Sequence, residues 1–154
     1  MKSYRVHLIR HGVSEGARKG QYIGLTDSPL CEEGKTRLLA LKKEAEYPRA
    51  DACFCSANRR CRESLEILYP EATGTYLRGL EGCSFGGWEG KTADELKGDE
   101  LYEKWMRGEE GAVPPGGEST LAFMHRVCEV FEKLVDSMMR SRTESVAIVT
   151  QGDV

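Results

Sequence analysis

The sequence predicts a three-layer α/β/α domain with a mainly parallel sheet. Two observations carry that reading. Short continuous apolar runs alternate with amphipathic runs at helical spacing, and polar residues follow directly behind the apolar runs. A chain of 154 residues fits one domain, 1–154, with one core. Apolar residues make up 40% and charged residues 31%, an ordinary globular balance, and no run is long enough to span a membrane. The net charge of -3 argues against a nucleic-acid partner, because phosphate-backbone binding leans on clustered Lys and Arg. A small anionic ligand stays open, since a pocket's local charge need not follow the total.

Taken in order, residues 4–9 read as a first strand buried on both faces, with Gly12 letting the backbone turn behind Arg10 and His11. Residues 13–31 read as a glycine-rich loop containing the turn Asp27-Ser28-Pro29. Glu32 and Glu33 open an amphipathic helix that runs to about Tyr47, before Pro48. Residues 52–55 form a second buried strand. Ser56 is the expected N-cap of a helix over about residues 58–69, closed by Pro70. Residues 75–77 are a weaker third strand. Residues 79–117 read as an insertion covering the site rather than a compact unit, with short helices near 92–97 and 99–107. Leu121, Met124, Val127, Cys128, Phe131, Leu134, Val135 and Met138 then keep helical spacing to about Arg140, and residues 145–150 form a last buried strand.

Six cysteines invite a redox or metal reading. Met1-Lys2-Ser3 leads straight into the first strand, so no secretory signal, a cytoplasmic location and reduced thiols are expected. Cys53 and Cys55, two apart, share one strand face and read as buried filler. With no Cys-x-x-Cys and only three histidines, no metal is expected, and a thiol-redox or metal protein is the weakest functional reading.

Three predicted strands end in polar residues: Arg10-His11, then Ser56 just before Arg59 and Arg60, then Thr150-Gln151-Gly152. In parallel α/β sheets, ligands bind beyond the carboxyl ends of the strands. A helix opening near Asn58 adds free backbone N–H groups, and Arg10 and Arg60 supply bidentate donors for a phosphate. The residues therefore describe an anion pocket holding a nucleophilic imidazole. His7 within its strand and His125 on a helix surface read as structural, and Trp88 and Trp105 as packing residues.

Arg10-His11-Gly12-x-Ser14 is one of several motifs in a familiar order. Tyr22-Ile23-Gly24 through Gly34, Ser56 through Glu63, Phe85-Gly86-Gly87-Trp88-Glu89-Gly90, Pro115 through Ser119, and Val149-Thr150-x-Gly152 complete the set. Together they resemble the histidine phosphatase, or phosphoglycerate-mutase-like, superfamily, and small bacterial phosphatases of the alpha-ribazole phosphatase and phosphoglycerate mutase type. The resemblance implies that His11 becomes phosphorylated without a cofactor. It also implies that Arg10 and Arg60 clamp the phosphate, with Ser14, Gln151 and Gly152 completing its binding set.

The match is broken at several positions. The family's second pocket histidine corresponds to Gln151, and its acidic residue to Gly82. The loop asparagine and arginine correspond to Ala17 and Gln21. Gln151 is expected to donate a hydrogen bond to a phosphate oxygen but cannot carry charge. Glu81, one residue from the acid's place, is the candidate stand-in, with Asp153 as a second. The family continues past the last motif with another helix and more sheet, whereas this chain ends at Val154. If more chain follows in the natural protein, it is expected to cover sheet surface and the site's far wall; if none does, an exposed apolar sheet face relieved by homo-oligomerisation is expected.

The expected function is phosphomonoester hydrolysis through phospho-His11, slow because two partners are replaced. Its partner is a small phosphorylated metabolite or inorganic phosphate. The alternative is a degenerate phosphate or phosphometabolite binder. A mutase is less expected, because the insertion shows no basic set for a second acidic group.

Overall fold

The computed structural model describes residues 3–154. Four strands form one sheet: β1 (Arg5–Arg10), β2 (Ala52–Cys55), β3 (Thr75–Tyr76) and β4 (Ser145–Thr150), in the spatial order β1-β4-β2-β3. Every pairing is parallel, and the helices between successive strands supply the crossovers that parallel neighbours need. Central β4 has Val146 through Val149 wholly buried. Its alternation serves both faces. Val146 and Ile148 pack with Leu134 and Met138 of helix α6 (Thr120–Ser141). Val149 faces the other way, onto Cys61 and Leu65 of helix α3 (Arg59–Leu68). Helix α2 (Glu32–Glu44) lies beside α3, sharing a core of Leu30, Leu38 and Leu68. The expected α/β/α layering and parallel sheet are therefore present. No helix among the described residues is long and apolar enough to cross a membrane.

Local corrections have physical causes. β1 is not buried on both faces: it is a sheet edge, and Leu8 is 55% exposed. Leu121, Met124 and Phe131 of α6 are exposed as well, and Leu8 and Phe131 share a shallow apolar groove with Val127 and Cys128. An exposed apolar surface thus lies beside β1. Ser14, placed in a loop by sequence, caps a short helix α1 (Glu15–Arg18) by accepting from Ala17 N–H at 3.3 Å. α2 stops at Glu44 rather than near Tyr47, because Ala45 is extended; the Cys31 thiol caps its start by accepting from Gly34 N–H at 3.3 Å. Ser56 does not cap α3. Asn58 holds that position without a side-chain bond to the helix, and Asp27 reaches across from the loop to accept the Arg59 N–H at 2.9 Å.

The 79–117 region is more compact than expected. Helices α4 (Ala93–Leu96) and α5 (Glu100–Met106) enclose a small core of Trp88, Leu96 and Tyr102, joined by Tyr22, Phe85 and Trp105. Trp88 and Tyr102 meet edge-on, centroids 5.4 Å apart. Backbone bonds from Tyr22 N–H to Lys91 O and from Gly90 N–H to Tyr22 O stitch this unit to the loop after α1.

Candidate active site

Arg10 lies opposite Thr150 in the ladder, and His11 N–H extends it by donating to Thr150 O at 3.1 Å. The carboxyl ends of β1 and β4 and the start of α3 therefore meet. Arg10, His11, Ser14, Arg60, Gln151 and Gly152 line one cleft of about 340 Å³. Its remaining wall is Ala17, Gln21, Tyr22, Ile23, Phe85 and Asp153. Two larger clefts, about 620 and 730 Å³, surround the amino end of β2 and contain no histidine. A parallel sheet places ligands at the opposite end.

Close packing, not a backbone turn, demands glycine at position 12. Its φ is not positive, and a Cβ there would stand 2.7 Å from Leu38 Cδ1 and 3.2 Å from Leu30 Cδ2. At Gly152 a Cβ would meet Arg10 Nε at 2.8 Å, so this glycine makes room for the Arg10 side chain across the cleft floor.

His11 Nδ1 lies 2.6 Å from Gly12 O. A carbonyl only accepts, so Nδ1 carries the proton and Nε2 keeps a free lone pair. Burial lowers the His11 pKa below 6.5, and the positive charges of Arg60 and Arg10 add to that, against the raising effect of the Gly12 and Gln151 bonds. The imidazole is thus neutral at neutral pH, the form a nucleophile needs.

The two arginines differ. Among the described residues the Arg10 guanidinium makes no hydrogen bond or ion pair, so its whole donor fork is available to an anion. Arg60 is buried and largely committed. Its Nε donates to Gln151 Oε1 at 2.9 Å, Nη1 to Thr26 O at 3.0 Å, and Nη2 to Gly24 O at 2.7 Å and Ile23 O at 3.4 Å. With four of five N–H groups engaged, Arg60 has one left for a ligand beside its charge. The expected bidentate clamp is therefore available from Arg10 and not from Arg60 as it stands.

Gln151 also departs from expectation. Its Nε2 donates to Ser56 Oγ at 3.2 Å, Asn58 Oδ1 at 3.1 Å and Cys61 Sγ at 3.2 Å, while its oxygen holds Arg60. Its donors are spent inside the protein, so it orients Arg60 rather than bonding a phosphate oxygen. The helix N-terminus is likewise partly occupied, because Asp27 takes the Arg59 N–H. Ser14 keeps its hydroxyl hydrogen to donate while its oxygen caps α1.

Glu81 is not brought into the cleft. Its carboxylate accepts the Gly79 N–H at 2.7 Å and lies 3.9 Å from Arg126. Asp153 does line the cleft. Sequence reading passed over two positioning residues. Glu89 accepts from the N–H groups of Gly24, Leu25, Thr26 and Phe85 and from the Thr26 hydroxyl, and so shapes the carbonyl cradle around Arg60. Burial raises its pKa, but those bonds outweigh it and leave the carboxyl below the usual range. Arg126 pairs with Glu118 at 2.7 Å and donates to the carbonyls of Gly79, Glu81 and Gly82, pinning that loop to α6. The only sequence signal for Glu89 was its place in the Phe85–Gly90 motif; Arg126 had none beyond being charged near an apolar stripe.

Three of the thiols are poor nucleophiles. Burial pushes Cys55, Cys61 and Cys83 up to about 11, the reverse of what a reactive cysteine requires.

Comparison with known proteins matches residues 6–154 to the family model described as the histidine phosphatase superfamily (branch 1). An adenosylcobalamin/alpha-ribazole phosphatase of Salmonella typhimurium is 29% identical over 134 residues, covering 84% of this chain and 66% of that protein. A 2,3-bisphosphoglycerate-dependent phosphoglycerate mutase of Xanthobacter autotrophicus is 30% identical over 152 residues, covering 91% and 72%. The chain thus spans about two thirds of the length of the Salmonella protein. Among solved structures, the alpha-ribazole phosphatase from Shigella flexneri superposes with a TM-score of 0.83 at 24% identity, over 96% of this chain and 73% of that one, which is likeness of fold.

Proposed function

The chain belongs to the histidine phosphatase superfamily, branch 1, and from that premise we propose that it is a phosphomonoester hydrolase working through a phosphohistidine at His11. The observation that carries the reading is the neutral imidazole, its Nδ1 proton tied to Gly12 O, in a cleft with two arginines. Arg10 binds the phosphoryl oxygens, Arg60 adds charge and one donor, and Nε2 attacks phosphorus. Such chemistry asks the protein chiefly for positioning and charge stabilisation. The substrate is a small phosphomonoester, bound without a cofactor.

Relatives include both phosphatases and mutases. The cleft favours hydrolysis. Apart from His11 its only basic residues, among those described, are Arg10 and Arg60, and the outer wall of Ala17, Gln21, Tyr22, Ile23, Phe85 and Asp153 offers no cation for a second acidic group. A second reading, a phosphate or phosphometabolite binder without useful turnover, is favoured by the engaged donors of Arg60 and Gln151.

Hydrolysis of p-nitrophenyl phosphate by the parent, His11→Ala and Gln151→His separates the two. Hydrolysis that disappears in His11→Ala is the expected result. Gln151→His is expected to raise the rate by up to about a hundredfold, since it frees Arg60 Nε and offers a chargeable ring. An inactive parent that still binds phosphate through Arg10 would favour the binder instead.

A further inference from the structure

We propose that Asp153 is the proton donor to the leaving group, an assignment that rests on the phosphatase reading of His11. An alkoxide is a poor leaving group, and protonating it as the P–O bond breaks is the task of a positioned acid. Among the groups lining the cleft, Asp153 is the one carboxyl. Arginine does not release its proton, and His11 already acts as nucleophile. Tyr22 is pushed up to about 12 by burial and by its 2.7 Å bond to Tyr102. Glu89 accepts bonds from four backbone N–H groups and a hydroxyl, and Glu81 is held by Gly79 and beside Arg126. Neither can turn to a substrate without abandoning those partners.

Asp153 is differently placed. Its Oδ2 accepts the Cys83 N–H at 3.1 Å, which orients the carboxyl, and its Oδ1 has no hydrogen-bond partner among the described residues. The neighbour that would cover it is a glycine. A Cβ on Gly82 would lie 3.4 Å from Oδ2, 3.5 Å from Oδ1 and 3.4 Å from Gln151 Cγ. With no side chain at 82, this side of the carboxyl stays uncovered. The Cys83 bond also depends on the loop that Arg126 pins through the Gly79, Glu81 and Gly82 carbonyls.

The steps balance as follows. The His11 Nε2 lone pair forms the N–P bond while the ester P–O bond breaks. Its electron pair goes to the departing oxygen, which takes the Asp153 carboxyl proton and leaves as an alcohol. The Asp153 carboxylate then takes a proton from water as the water oxygen bonds to phosphorus. The N–P bond breaks, its pair returns to Nε2, and phosphate leaves with Asp153 protonated again.

The test uses p-nitrophenyl, phenyl and butyl phosphates with the parent and Asp153→Asn. Asparagine keeps an acceptor for Cys83 N–H, and a urea midpoint equal to the parent's verifies the fold. Loss of a general acid is felt most where the leaving group is poorest. The expected result is a change of less than about tenfold for p-nitrophenyl phosphate and a loss of about a hundred- to ten-thousandfold for butyl phosphate. Equal loss across all three esters, or none, would overturn the assignment and leave the phosphatase reading standing. That reading has its own readout, His11→Ala on p-nitrophenyl phosphate; if His11→Ala matched the parent, both would fall.

Discussion

At the scale of single residues, the chemistry depends on a few protons whose places are fixed by neighbours. His11 has a folded pKa below 6.5, chiefly through burial, so attack should fail as pH drops through that lowered value. The pH profile of kcat/KM for p-nitrophenyl phosphate should therefore show an acid limb with a midpoint below 6.5. Protonation of His11 also favours the unfolded chain. Its stability contribution is complete above pH 6.5 and is lost as pH falls through the folded pKa. Phosphate in the cleft offsets the charges of Arg10 and Arg60, so NMR titration with saturating phosphate should move the His11 pKa upward. Gly12→Ala should cost about 1–3 kcal/mol in urea unfolding, because its Cβ would stand 2.7 Å from Leu38 Cδ1. Arg10, His11 and Arg60 were legible as site candidates from their positions behind strands. How Arg60 and Gln151 spend their donors was not. A side chain's hydrogen-bond inventory is settled by loops such as 23–26, whose carbonyls come close only in the folded chain.

At the scale of elements, α6 separates periodicity from burial. Its apolar residues keep helical spacing, yet Leu134 and Met138 are buried under the sheet while Leu121 is 75% exposed. Leu134→Ala should cost about 2–5 kcal/mol in urea unfolding. Leu121→Ser should stay within about 0.5 kcal/mol, as a substitution that removes no packing. The alternation of strands and helices was plain in sequence because each run carries its own period. The exposure of β1 was not, because an apolar run reads alike at a sheet edge and at its centre. The capping of α3 by Asp27 was hidden for a related reason: the cap lies 32 residues before the Arg59 N–H it accepts. The 79–117 region misled because its core joins Tyr102 and Trp105 of one short helix to Trp88 and Tyr22 from separate segments, a meeting that no local period announces.

At the scale of the whole molecule, the cleft joins segments far apart in sequence, with Arg10 and His11 at the end of β1 and Gln151 to Asp153 after β4. Binding there should be linked to global folding. Phosphate at a hundred times its Kd should stabilise the parent by about 2.7 kcal/mol. Thermal melts should show that gain largely lost in Arg10→Ala, which removes the free donor fork. The sheet order and both helical layers follow from the strand–helix alternation, so the position of the cleft beyond the strand ends could be foreseen. The rate it supports could not, because that turns on which nearby carboxyl lines the cleft, and the fold brings Asp153 there and not Glu81. The most direct test is rapid acid-free quenching of the protein with p-nitrophenyl phosphate, followed by mass spectrometry of its peptides. A base-stable, acid-labile phosphoryl group on the peptide bearing His11, formed and discharged at the rate of turnover and absent from His11→Ala, is the predicted result. Turnover that persists in His11→Ala with no phosphoryl group on that peptide would contradict it.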